Sequence, residues 1–286
     1  MKKHSYYLYI LFILSGACVE EVDLSEINEP TSGRLVIQGN ITNEMKRHAV
    51  VLSRTNVAIT YVDAEKVSGA IVEITDGAIV YELIENDTLP GLYLTTTEIA
   101  GEVGKQYTLR VEVNDTMYTA KDLMEPVRPF EPKAELFELP NRVEEFDDVV
   151  EEGFYEHRFP HVRYGTSAPS KQTLFAYDST IGALRQAIFY EFPRTDPQGF
   201  LLGFQGDNPT LIIKEGSTIF QFKSSMSTAH YLYMRAVYAE TKFRGGLFDV
   251  IPGNAPSNMS NNGLGFFSAS EVISRTFTVT KENLEP

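Results

Sequence analysis

From Arg34 to about Ala120, apolar and polar residues alternate with a period of two, and that period decides what the segment can become. The cleanest stretch is Tyr107-Leu109-Val111-Val113, interleaved without error by Thr108-Arg110-Glu112. A strand turns successive side chains to opposite faces, so this pattern builds a half-buried sheet. On a helix the same residues would be scattered round the axis. Leu35-Ile37-Gly39-Ile41 and Ala70-Val72-Ile74 repeat the alternation, and His48–Arg54, Ile79–Ile84, Leu92–Leu94 and Met117–Ala120 add further short runs. Turn residues separate them. Asp76-Gly77 and Asn114-Asp115 tolerate positive φ and predict hairpins, and Pro90-Gly91 predicts another turn. About seven short strands within ~90 residues predict a β-sandwich.

Val67-Ser68-Gly69-Ala70-x-Val72-x-Ile74-x-Asp76-Gly77, then Gly91-x-Tyr93, then Gly104-x-x-Tyr107-x-Leu109-x-Val111 is similar to prealbumin-like or carboxypeptidase-regulatory-like domains. The resemblance implies an immunoglobulin-type sandwich over residues 33–125. Tyr107 is expected at a strand corner, its ring in the core and its hydroxyl bonded to backbone.

A second β-rich domain with one amphipathic helix is expected over residues 126–286. The junction, Asp122–Pro140, carries Pro126, Pro129, Pro132 and Pro140, which rule out a long helix. The acidic run Glu144–Glu152 lacks the alternating oxygen ligands and glycine turn of an EF-hand, and reads as a solvated loop. Strands are expected at Tyr155–Thr166, Leu174–Asp178, Gln186–Phe192, Phe200–Phe204, Ser217–Lys223, Leu264–Ala269 and Ser274–Thr280. Between Ser227 and Phe243 the period changes. Tyr231, Met234, Val237 and Tyr238 recur at helical spacing, Ser227 and Thr228 can cap the segment, and Gly245-Gly246 can end it.

The amino terminus is a different kind of sequence. Lys2 and Lys3 precede the apolar run Tyr6–Leu14, then Ser15-Gly16-Ala17 and Cys18, the one cysteine of 286 residues. A basic start, a short apolar core and small residues read as an export signal over residues 1–17. The run is shorter than the ~20 residues that span a bilayer. A lone cysteine in that place reads as a site of lipidation, although Ser15 stands where a lipobox usually has an aliphatic residue; the competing reading is an ordinary secretory signal cut nearby. Val19-Glu20-Glu21-Val22-Asp23 resembles the acidic tag that sends lipoproteins of the Bacteroidota phylum to the outer face of the outer membrane. Residues 18–32 read as an acidic tether. With one cysteine, no disulfide can form within the chain, so stability must come from burial.

The opening Leu35-Val36-Ile37-Gln38-Gly39-Asn40-Ile41-Thr42-Asn43 and the ending Gly246-Leu247-Phe248-Asp249-x-x-Pro252-x-Asn254-x-Pro256-Ser257-Asn258, then Gly263-x-Gly265-Phe266-Phe267-x-Ala269, resemble the Bacteroidota lipoprotein family catalogued as domain of unknown function 4249. That resemblance implies an outer-membrane lipoprotein, often encoded beside TonB-dependent transporters. It brings no catalytic residues with it.

The sequence carries few marks of chemistry. The formal charge is −14, two units more acidic once Lys2 and Lys3 leave, which argues against a nucleic-acid partner. There is no HExxH, no paired cysteines, no GxSxG elbow and no phosphate-cradling glycine loop. His157 and His161 would share a strand face, but about 13 Å apart, with Pro160 between them, too far to hold one metal without a bend. No cofactor and no metal is therefore expected. The loop Phe248–Phe267 is the candidate recognition element, through Phe248, Asp249, Asn254, Asn258, Asn261, Phe266 and Phe267. The competing reading is that its Pro and Asn residues hold a long crossover in shape. The expectation is a non-catalytic outer-membrane surface lipoprotein, anchored at Cys18 and accessory to a TonB-dependent β-barrel transporter. The alternative is a structural or adhesive surface protein.

Overall fold

The computed structural model describes residues 33–56, 63–130, 137–138, 154–158, 162–165, 168–178, 182–193, 210–242 and 255–280. The leader, the tether, the acidic run Glu144–Glu152, the strand expected at Phe200–Phe204 and the stop at Gly245-Gly246 lie outside these residues. The protein is mainly β, with one helix among the described residues. The strands of the first part are β1 (Leu35–Thr42), β2 (Ala49–Arg54), β3 (Ile71–Thr75), β4 (Val80–Asn86), β5 (Leu89–Thr95), β6 (Gln106–Val113) and β7 (Thr116–Leu123). Next come β8 (Phe137–Glu138), β9 (Phe154–Arg158), β10 (Val162–Gly165), β11 (Ser170–Asp178), β12 (Ala183–Pro193), β13 (Thr210–Lys214) and β14 (Thr218–Ser225). The helix α1 (Thr228–Lys242) and the strands β15 (Leu264–Ser270) and β16 (Val272–Thr278) complete the chain.

The first seven strands and β15 hydrogen-bond as one eight-stranded sheet in the order β15-β1-β2-β5-β4-β3-β6-β7. They do not divide into two separately bonded sheets. The single sheet coils until its two ends, β15 and β7, come together, joined by a bridge between Glu125 and Ser270. Closure of this kind removes most of the open edge that a flat sheet would leave. Inward-facing Ile37, Ile41, Leu52, Ile74, Leu109 and Phe267 meet inside it, all fully buried. β15 comes from more than 220 residues after β1 and lies parallel to it, with Gln38 opposite Phe266, Asn40 opposite Ser268 and Thr42 opposite Ser270.

Local chemistry explains the turns. Asn114 and Asp115 both hold positive φ (48° and 60°), and Val113 pairs with Thr116 across them, a two-residue hairpin whose twist matches its strands. Asp76-Gly77 also turns the chain, with Asp76 Oδ1 accepting from the N–H groups of Ala78 and Ile79. Pro90-Gly91 does not turn it; both residues lie inside β5. The turn comes earlier, where Asn86 Oδ1 accepts from Thr88 and Leu89 N–H, and the register then slips at Glu85/Asn86. Tyr107 is 2 % exposed, and its hydroxyl accepts from Glu102 N–H at 2.8 Å, the corner role expected of it.

Five strands form a second sheet, in the order β10-β12-β11-β14-β16, and β13-β9-β8 form a third. Strands were not expected at β8 or β13, and one long strand expected at Tyr155–Thr166 is two, β9 and β10. One face of the five-stranded sheet buries Leu174, Ala176 and Ile219 with Ile213 from β13. On the other face Tyr190 packs with Met226, Tyr231 and Met234 of the helical segment. α1 starts where Ser227 caps it, its hydroxyl oxygen accepting from His230 N–H at 3.1 Å. Ser225 and Glu271 tie the turn between β15 and β16 to the end of β14, Ser225 N–H donating to the Glu271 carbonyl at 2.9 Å. One continuous strand run, 264–278, therefore serves both large sheets.

Candidate functional site

Alternation along β1 and β15 sends Ile37, Ile41, Phe267 and Ala269 inward and leaves Gln38, Asn40, Thr42, Phe266, Ser268 and Ser270 on the outer face. This outer face is not simply solvated. Ser268 and Ser270 are 8 % and 5 % exposed, because the five-stranded sheet and α1 stand over them. The two walls do not close. Between them lies a cavity of about 530 Å³, lined on the first sheet by Asn40, Thr42, Glu44, Ser268 and Ser270. Lys171, Thr173, Phe175, Tyr190, Phe222 and Ser224 line it on the second sheet, with His230 and Met234 from α1. Strand pairing explains the second wall: Lys171 lies opposite Tyr190 on one side and Ser224 on the other, and Thr173 lies opposite Phe222. A second cavity of about 320 Å³ adjoins it, lined by Gln38, Asn40, Val51, Tyr233, Phe266 and Ser268, and shares His230. Cavities of this size fall in the range that holds small molecules.

His230 stands where the two cavities meet. Its ring stacks on Phe266 with centroids 5.1 Å apart and planes 17° apart, and Tyr233 stacks on the same phenyl at 5.0 Å. Its Nδ1 is buried without a hydrogen-bond partner among the described residues. Burial, reinforced by the positive charge of Lys171, pushes the imidazole down to about 4, so the ring is neutral at neutral pH. Lys46 forms an ion pair with Glu44 on the first wall. Phe175 and Phe222 meet edge to face at 6.1 Å on the second.

The expected recognition loop divides. Phe248, Asp249 and Asn254 lie outside the described residues, as do Cys18 and His161. His157 lies on β9 opposite Leu211. Asn258 is bound into the fold: its Oδ1 accepts from Phe267 N–H at 3.0 Å, and its Nδ2 donates to the carbonyls of Phe267 at 2.8 Å and Lys121 at 3.2 Å. Asn261, in the left-handed region at φ 52°, donates to the Met117 carbonyl. Asn258 thus spans the gap between β15 and β7, while Asn261 ties the loop to β7. Phe267 is fully buried in the core. Phe266 lines the smaller cavity. Arg275, on β16, donates to Gln221 Oε1 at 2.8 Å and covers the Phe130 ring at 4.6 Å.

Lys171, Ser268, Ser270 and Asn40 carry no mark of a site in the sequence. Their polar character on one strand face reads as solvent exposure until a second sheet is placed over it. Among the described residues no group of three His, Cys, Asp or Glu side chains is placed to hold a metal ion. No helix among them is long and apolar enough to cross a membrane.

Fold and cavity together define a mainly β protein with two large sheets and a cleft of mixed polar and aromatic lining between them. The chain belongs to the family described as Domain of unknown function (DUF4249), which matches residues 19–276. No curated protein matches the sequence.

Proposed function

We propose that this protein is a non-catalytic surface lipoprotein of the bacterial outer membrane, anchored through Cys18, whose cleft captures a small ligand for a TonB-dependent transporter. The observation that carries the capture is the 530 Å³ cavity walled by hydroxyls, a carboxamide and aromatic rings. Such groups recognise; they do not react by themselves. The imidazole among them, His230, titrates near 4 and is a weak general base at neutral pH. The anchoring rests on the leader and on Cys18 as the chain's one cysteine, and the outer-membrane location on the acidic residues Glu20, Glu21 and Asp23 that follow it. In this reading residues 33–125 are a coiled relative of immunoglobulin and prealbumin-like sandwiches, serving as spacer and docking module. The bond from Glu102 N–H to the buried Tyr107 hydroxyl supports that kinship, since such a corner marks the group.

Affinity purification from mildly solubilised membranes tests the transporter half. The reading requires a large β-barrel protein to come with the lipoprotein, and recovery of the lipoprotein alone overturns it. A Cys18→Ala variant tests the anchor: it should lose acylation and leave the membrane fraction. A structural or adhesive role is the second reading, favoured by exposed apolar side chains on the sheet, Ile71, Val80 and Ile84 at 61 %, 51 % and 55 % exposure. Recovery of the chain alone, or with copies of itself, supports that second reading.

A further inference from the structure

The geometry points to Lys171 as an anion anchor: the cleft takes a small organic acid, a monocarboxylate with an apolar or aromatic body. This inference rests on the cleft being a ligand site and names the class of ligand. Charge comes first. The whole chain is formally −14, so a cavity with a positive balance is contrary to its surroundings. The charged side chains lining the larger cavity are Glu44, Lys46 and Lys171. Glu44 and Lys46 pair with each other. Lys171 forms no salt bridge with any carboxylate among the described residues. Its cross-strand neighbours are Tyr190 and Ser224, neither of which carries a charge at neutral pH. Among the described residues one positive charge is therefore left over on the wall, next to a histidine that burial keeps neutral.

The rest of the lining selects among anions. Half of the ligand must be apolar, because Phe175 and Phe222 form a continuous aromatic surface beside Lys171, two and four residues along the same sheet face. A bare inorganic ion would leave that surface wet, and an amine would be repelled by Lys171. A neutral molecule that displaced water would strip the ammonium of its hydration and return nothing for it. A carboxylate returns a charge-assisted hydrogen bond, with the hydroxyl of Ser270 on the facing wall of the cavity for a remaining polar atom.

The test uses the full chain in detergent micelles, titrated calorimetrically with N-acetylphenylalanine and with its uncharged amide at pH 7.5. The acid should bind at least about tenfold more tightly than the amide, the preference should fall in high salt, and Lys171→Gln should abolish it. Lys171→Arg should retain it, and Lys66→Gln, remote from the cavity, should leave it unchanged. Equal affinity for acid and amide overturns the assignment of ligand class while leaving capture itself standing. A preference that survives Lys171→Gln overturns the anchor. Binding of neither compound overturns the proposal, while membrane retention and recovery of a β-barrel are read separately. Should Lys171→Gln fail to fold, the acid-against-amide comparison and its salt dependence on the native chain still decide.

Discussion

Asn258 binds the backbone of Phe267 as a neighbouring strand would, accepting from its N–H at 3.0 Å and donating to its carbonyl at 2.8 Å. The same side chain reaches the Lys121 carbonyl on β7 at 3.2 Å. β15 thus has a true strand, β1, along one side and, besides the bridge from Ser270 to Glu125, side chains along the other. Asn43 repeats the device one step beyond the β1–β15 ladder, accepting from Val272 N–H at 2.7 Å and donating to the Val272 carbonyl at 3.2 Å. Two asparagines therefore pin the run that joins the two large sheets and carries one wall of the cleft.

Asn258→Ala removes all three bonds and leaves the Phe267 and Lys121 backbone groups without these partners. An unpaired group costs about 1–3 kcal/mol when buried, and these are only partly buried or exposed, so at the low end for each a loss of roughly 2–3 kcal/mol is expected in urea denaturation. Asn258→Asp keeps the acceptor for Phe267 N–H but sets a carboxylate against two carbonyls. It should cost at least as much at pH 7 and recover part of the loss in acid, where the group is protonated.

Asn43→Ala acts on the junction, outside the core. Its expected signature is local: faster amide exchange at Val272, with the core amides of Leu109 and Val111 unaffected. Acceleration across the whole eight-stranded sheet would mean that the junction is part of one cooperative unit with it.

Gly265 holds φ +90° while β15 lies against β1, and a Cβ there would overlap the Ile37 carbonyl. Gly77 has a similar φ, +93°, but open space around it. The two separate conformational strain from collision. Gly77→Ala should cost about 1 kcal/mol. Gly265→Ala should cost at least about 3 kcal/mol, or prevent folding, because β15 must shift off β1. Thermal melts of the two variants make the comparison.

The parts legible in the sequence are those set by neighbours along the chain. Asn114-Asp115, the alternation of Tyr107–Val113, the Tyr107 corner and the cap at Ser227 are all local chemistry, and all stand. Pro90-Gly91 misleads because Asn86 already satisfies the backbone of an earlier turn. The parallel pairing of β15 with β1 leaves no local mark, since no turn or spacing announces a partner more than 220 residues away. The cleft is hidden for the same reason: Asn40 and Ser268 carry the composition of a wet surface, and only the tertiary placement of a second sheet makes that surface a wall.

Acid should unfold this protein in stages. His230 is held at about 4 against its ordinary 6.5, and burial also lowers His48, whose Nε2 is bonded to the Ile99 carbonyl. A depressed folded pKa means that the unfolded chain takes up protons first. The stability is present above pH 6.5 and drains away as the pH falls toward 4, on the order of 3 kcal/mol for His230. Glu85 follows at lower pH. Hydrogen bonds from Gly91 N–H, Ser68 and Gly69 N–H hold it at about 2, so its share is lost between 4.5 and 2. His230→Gln should reduce the slope of the stability profile between pH 6.5 and 4, leaving the share of His48 and the lower step intact, as measured by urea denaturation across the range.

Asp122 shifts the opposite way, and this separates two roles for one carboxylate. It is 4 % exposed, and burial raises its pKa, although Ser227 and the N–H groups of Ala269 and Leu123 bond to it. The Ala269 bond measures 2.8 Å. A raised folded pKa favours the protonated fold, so this stability is present below the ordinary carboxylate pKa and is lost as the pH rises through the folded value. Asp122→Asn keeps an acceptor for Ala269 N–H and removes the buried charge; it should change stability by less than about 1 kcal/mol at pH 7 and weaken the pH dependence of the acid range. Asp122→Ala leaves Ala269 N–H and the Ser227 hydroxyl unpaired and should cost about 2–3 kcal/mol. The consequence reaches the cleft, because Ser227 also caps α1 by accepting from His230 N–H. In Asp122→Ala the stacking of His230 on Phe266 should loosen, seen as a smaller ring-current shift of the His230 protons, while Asp122→Asn preserves it. An unchanged shift in both variants would mean that Ser227 holds the helix start unaided, and that the carboxylate matters only to the closure of β15 against β7.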